Sequence, residues 1–138
     1  MNVIRTIQKK ESKEWIKKLF KAGPHKGDWV PIYPPIFPFP YQLQQDVVGG
    51  YLYLVYDGAL LGYGRIAAVK KHTGSPVGTT GDPVSPGEAI HLTRQLTSMP
   101  RPLEARGFQG IRYILENLHK LPPDKAQETL NKALGVAR

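Results

Sequence analysis

The chain has 138 residues, enough for one domain with a core of its own. It contains no cysteine, which excludes disulfides, thiol nucleophiles, iron–sulfur clusters and cysteine-ligated zinc. Its Lys+Arg count of 19 against 11 Asp+Glu leaves a formal charge of +8, an excess that attracts polyanions by releasing their condensed counterions.

The opening residues, MNVIRTIQKK, lack the apolar core and cleavage site of a signal peptide. No apolar run approaches the roughly 20 residues of a membrane helix. The expected setting is cytoplasmic, with no membrane partner. Asn2–Ile7 is a short first strand. A helix follows, with Ser12 as N-cap and Trp15, Ile16, Leu19 and Phe20 as its apolar stripe. Lys10, Lys13, Lys17 and Lys21 line another face, and Gly23-Pro24 stops the helix.

Between His25 and Tyr41 proline recurs and no regular element is expected, because proline removes ladder donors and restricts its neighbour. Trp29, Tyr33, Phe37, Phe39 and Tyr41 are interleaved there, too apolar for a disordered linker. This segment should lie extended over the core, with some rings lining a groove.

The alternating run at Tyr51–Tyr56, then Asp57-Gly58, then Ala59–Val69, predicts a hairpin with a type I′ turn. Gly62 and Gly64 imply a bulge or a close backbone approach in the return strand. His72–Gly87 is expected to be a loop and Glu88–Met99 a strand broken by Pro100-Arg101-Pro102. A turn at Gly107–Gly110, a strand at Ile111–Leu115 and a final helix opened by Pro122-Pro123-Asp124 and ended by Gly135 complete the order. The expected fold class is α+β: one domain over 1–138, a small, mostly antiparallel, partly closed β-barrel flanked by N- and C-terminal helices.

Few residues point to bond-making chemistry. His25, Asp28 and His72 match no standard metal spacing. No Gly-x-Ser-x-Gly elbow and no Gly-x4-Gly-Lys-Ser/Thr phosphate loop is present, so no cofactor is expected. The basic groups are more informative. Lys13 and Lys17 form a row suited to phosphates, joined by Arg94, Arg101 and Arg106. Arg65 and Arg112 are candidates for contacts in a cleft, since the planar guanidinium fork binds base edges and stacks on rings. Trp29 and Phe39 are candidates for base stacking, and Gln109 for hydrogen bonds to a base.

The run from Tyr51 to Val69, with its Gly-Tyr-Gly-Arg-Ile-Ala-Ala-Val return strand, resembles the central hairpin of the PUA-like superfamily, particularly its ASCH and EVE branches. Pro100–Leu103 and Gly107–Tyr113 look like the strand-turn-strand that closes such barrels. The resemblance spans about Trp29 to Leu115 and implies a pseudobarrel that binds RNA or modified bases in a cleft. Some ASCH members are small amidohydrolases of acylated nucleosides, with a Gly-x-Lys-x-x-Glu-x-Arg-type motif after the first helix. The stretch Ala22–Trp29 lacks its Glu and Arg, leaving Lys26, Asp28 and a base at His72 as the nearest candidates for an amidohydrolase alternative. A third alternative is a protein-interaction domain that uses the proline-aromatic segment. The expectation is a non-catalytic module for RNA or a modified or flipped base.

Overall fold

The computed structural model describes residues 1–7, 13–20, 35–74, 84–108 and 110–135. The chain is α+β with a strand-dominated core. Strands β1 (Asn2–Thr6), β2 (Ile36–Phe39), β3 (Tyr51–Tyr56), β4 (Ala59–His72), β5 (Gly87–Leu92), β6 (Thr97–Glu104) and β7 (Ile111–Ile114) form one mixed sheet. Its hydrogen-bonded path runs β2-β5-β4-β3-β1-β7, with β6 added alongside β4. Only β1 with β3 is parallel. Helix α1 (Lys13–Lys18) and helix α2 (Pro123–Leu134) are the two α-helices among the described residues.

The 14-residue strand β4 organises the sheet. Its first half pairs with β3 on one side and β6 on the other, and its second half pairs with β5. The turn feeding it has Asp57 at φ 50° and Gly58 at φ 81°, the left-handed pair that a type I′ turn demands. After Leu60 the register slips. Val55 faces Leu60 but Leu54 faces Gly62, so Leu61 is an extra, bulged residue. A second slip lies between Ile66 and Ala68. These bulges curl the sheet. Four steps separate β2 from β1 along the path, yet the Arg5 guanidinium of β1 lies over the Phe37 and Phe39 rings of β2.

Two cores result. The inner one, wrapped by the curl, holds Val3, Phe37, Phe39, Leu52, Leu54, Ile66, Ile90 and Leu92, with Ile16 and Leu19 of the α1 region packed into it. The outer one, on the opposite face, holds Ile4, Tyr53, Val55, Leu60 and Ile114 under Leu118, Ala126 and Leu130. Helix α2 begins with Pro123 and ends where Gly135 adopts φ 70°, a left-handed C-cap.

Two sequence expectations need correction. Ile36–Phe39 is a strand, although it lies in the segment expected to carry no regular element. Pro38 is accommodated because β2 pairs only with β5 and its other side needs no donor. Pro100-Arg101-Pro102 does not end a strand but lies inside β6, where pairing to β4 skips from Leu103 to Ser98. The break falls instead between Leu92 and Thr97. The expected first helix is described only over Lys13–Lys18, and Ser12, Gly23 and Pro24 lie outside the described residues.

Candidate functional site

The bulge at Leu61 brings the first group together. It sets Tyr53 opposite Tyr63 and Tyr51 opposite Arg65, so all four side chains share the outer face. The 3₁₀ turn Leu118–Lys120 then lays His119 among them. The Tyr63 and His119 rings stack with centroids 3.9 Å apart and planes 13° apart. Tyr51 meets His119 edge-on at 4.6 Å. The exposed Arg65 guanidinium lies 5.7 Å above the Tyr51 ring.

The buried Tyr53 hydroxyl lies 2.9 Å from His119 Nδ1. Burial raises the Tyr53 pKa far above its ordinary value, with the backbone amides of His119 and Leu118 opposing. The phenol therefore keeps its proton and shares a hydrogen bond with Nδ1. Burial, and then the neighbouring Lys120 charge, lowers the His119 pKa, which keeps the imidazole neutral and able to accept.

Two further exposed arginines lie on neighbouring segments. The Thr93 amide donates to the Arg65 carbonyl (3.0 Å), and Arg94 is the next residue in the chain. Exposed Arg101 shares with His119 the lining of a small cavity of about 80 Å³. Arg65 over Tyr51 and Arg101 beside His119 thus border the cluster of Tyr51, Tyr63 and His119 rings, forming a band.

The other candidates lie elsewhere. Arg112 is on the same outer face but on β7, separated from Arg65 by β3 and β1, a distance of at least about 14 Å at the usual strand spacing. It stacks over Phe108 at 4.9 Å, and exposed Arg106 lies close in sequence. Lys13 and Lys17 are exposed on α1 and line a groove of about 280 Å³ with Ile16, Tyr56 and Leu61 beside the hairpin turn. Phe39 is in the inner core at 3% exposure, so the ring expected to stack on a base packs instead against protein. Trp29, Gln109, Lys26 and Asp28 lie outside the described residues. His72 has both nitrogens engaged. Its Nε2–H donates to the Phe39 carbonyl (2.8 Å), and its Nδ1 accepts from the Gly74 amide (3.1 Å), which ties the end of β4 to β2.

Sequence reasoning missed Arg5. Alternation places it on the same side of β1 as Val3 and Ile7, which belong to the inner core. Its guanidinium lies 4.8 Å over Phe39 and 5.6 Å over Phe37. Nη1 is sealed from solvent with no hydrogen-bond partner among the described residues. Leaving such a donor unmade costs about 1–3 kcal/mol, and more for a charged group, which ring contacts offset only in part. Burial lowers the Arg5 pKa, and the nearby Tyr41 phenol opposes this.

Among the described residues, no three His, Asp or Glu side chains gather as metal ligands, and no helix is long and apolar enough to cross a membrane. Comparison with family models, curated proteins and solved structures returned no match.

Proposed function

We propose that this chain is a non-catalytic module that binds RNA, or a modified or flipped base in a single strand, through the band around Arg65. One observation carries the reading. Exposed arginines border a cluster of partly exposed rings, with the Arg65 guanidinium over Tyr51 and the Tyr63 ring stacked on His119. Single-stranded nucleic acid is held by this combination, with cations along its backbone and ring faces against its bases. The formal charge of +8 adds long-range attraction. The curl of the sheet and the two bulges support reading the fold as a PUA-like pseudobarrel, and the cytoplasm, where RNA is abundant, is its expected compartment.

The test is fluorescence anisotropy of labelled short RNA and single-stranded DNA across a salt series. Affinity should fall on a log–log plot by about 0.7 per phosphate neutralised. Arg65→Ala with Arg101→Ala should flatten that slope by roughly 1.4 if each arginine neutralises one phosphate. Tyr51→Ala should cost about 1–3 kcal/mol with the slope unchanged. No binding to either polymer at low salt overturns the proposal.

A further inference from the structure

We infer that His119 takes up a proton when nucleic acid occupies the band, so that the band holds its ligand more tightly in mildly acidic solution. This rests on the nucleic-acid reading and adds the regulation of that same site.

The His119 ring sits where both the protein and an incoming strand act on it. It stacks on Tyr63 at 3.9 Å, meets Tyr51 edge-on at 4.6 Å, and lines the cavity of about 80 Å³ that it shares with Arg101. It is only partly buried, so a phosphate can approach it. Its Nδ1 lies 2.9 Å from the Tyr53 hydroxyl. A phenol can donate to a neutral imidazole or accept from a charged one, so this contact survives a change of protonation. The stack survives as well, because a cation on a tyrosine face is favourable. Protonation therefore changes the charge at the centre of the band without dismantling it.

The surroundings oppose that proton in the free protein. Strand β3 sets Tyr51 and Tyr53 against the ring, and β4 sets Tyr63 there, with the Arg65 guanidinium over Tyr51. Strand β6 brings Arg101, and Lys120 follows in the same turn. Helix α2 contributes Pro123 and Ala126, which carry no charge, to the cavity wall. The groups so placed are phenols, cations or uncharged, and burial with the Lys120 charge biases the ring toward its neutral form. A phosphate held by Arg65 or Arg101 brings a negative charge to the ring and reverses the bias. The coupling is reciprocal: a ligand that draws a proton to its site binds better where protons are plentiful.

The experiment follows a rhodamine-labelled oligouridylate, whose bases do not titrate in this range, by anisotropy from about pH 8 to pH 5 at fixed ionic strength. Affinity should rise as pH falls through about 6.5, by at most about tenfold per pH unit for one linked proton. His119→Gln should remove that dependence, and His91→Gln should retain it. In the full-length protein, the His119 ring C–H resonances should titrate at higher pH with saturating oligouridylate than without it. Binding that ignores pH, a His119 titration that the ligand does not move, or a His119→Gln protein with the full dependence overturns the inference and leaves the nucleic-acid reading standing. Absence of binding at every pH overturns both.

Discussion

At Gly62 a side chain has nowhere to go. A Cβ there would collide with the Phe20 ring and come within 2.6 Å of the Thr97 carbonyl, and backbone cannot swing aside as a flexible side chain can. Gly62→Ala should therefore destabilise the protein by about 1–3 kcal/mol, read as a lower urea midpoint with an unchanged slope. At Gly64 the nearest atom is the mobile Leu92 Cδ1 at 2.7 Å, so the same change should cost less there. The glycines were legible as a bulge or a close backbone approach, and the return strand has both. Arg65 was legible too, standing beside them. Arg5 was not. An arginine in a short alternating strand looks solvent-facing, and only the curl, which carries β2 over β1, turns its side of the strand into an interior. Phe39 misled in the opposite direction, because a ring among prolines gives no sign of which side of the segment is buried.

The hairpin is the element that sequence specifies best, since the Asp57-Gly58 turn chemistry is local. Gly58 sits at φ 81° in open space, so Gly58→Ala isolates backbone strain from any clash. It should cost about 1–2 kcal/mol, and Asp57→Gly should cost far less, because glycine accepts that conformation freely. Chemical denaturation of the two variants side by side measures the difference. Helix α2 was equally legible from Pro123 and Gly135, which mark its ends. Strand β2 was not, because its stability comes from a single ladder to β5, distant in sequence, and not from its own composition. The same cause hid the course of β6 through Pro100 and Pro102. An edge strand that skips a stretch of its ladder tolerates residues a central strand would refuse.

For the whole molecule, two histidines link stability to pH in the same direction. Burial lowers the His91 pKa, aided by Lys70, and burial lowers the His119 pKa, aided by Lys120. Above the unfolded value of about 6.5 both states are neutral and the folded state has its full stability. As pH falls below that, the unfolded chain takes up these protons first, so stability declines until the folded values are also passed. The melting temperature should drop between about pH 7 and pH 5, and His91→Gln with His119→Gln should flatten the drop, as followed by circular dichroism. The α+β class and the two terminal helices could be anticipated because they depend on local patterns. The seven-strand order and the curl could not, because a parallel β1–β3 ladder and a β4 shared by three neighbours are set by long-range pairing.

The bulge at Leu61 makes the arginine band a matter of parity. Residues beyond it present to the outer face only because one residue has been counted twice against a single partner. The same sequence paired one-to-one from the Asp57-Gly58 turn, with Leu61 taken into the ladder, would carry Tyr63 and Arg65 inward and set glycines in their place. In a diverged copy of this hairpin, whether the bulge and its extra residue are kept or lost together would say more about whether the band survives than the identity of any residue in between.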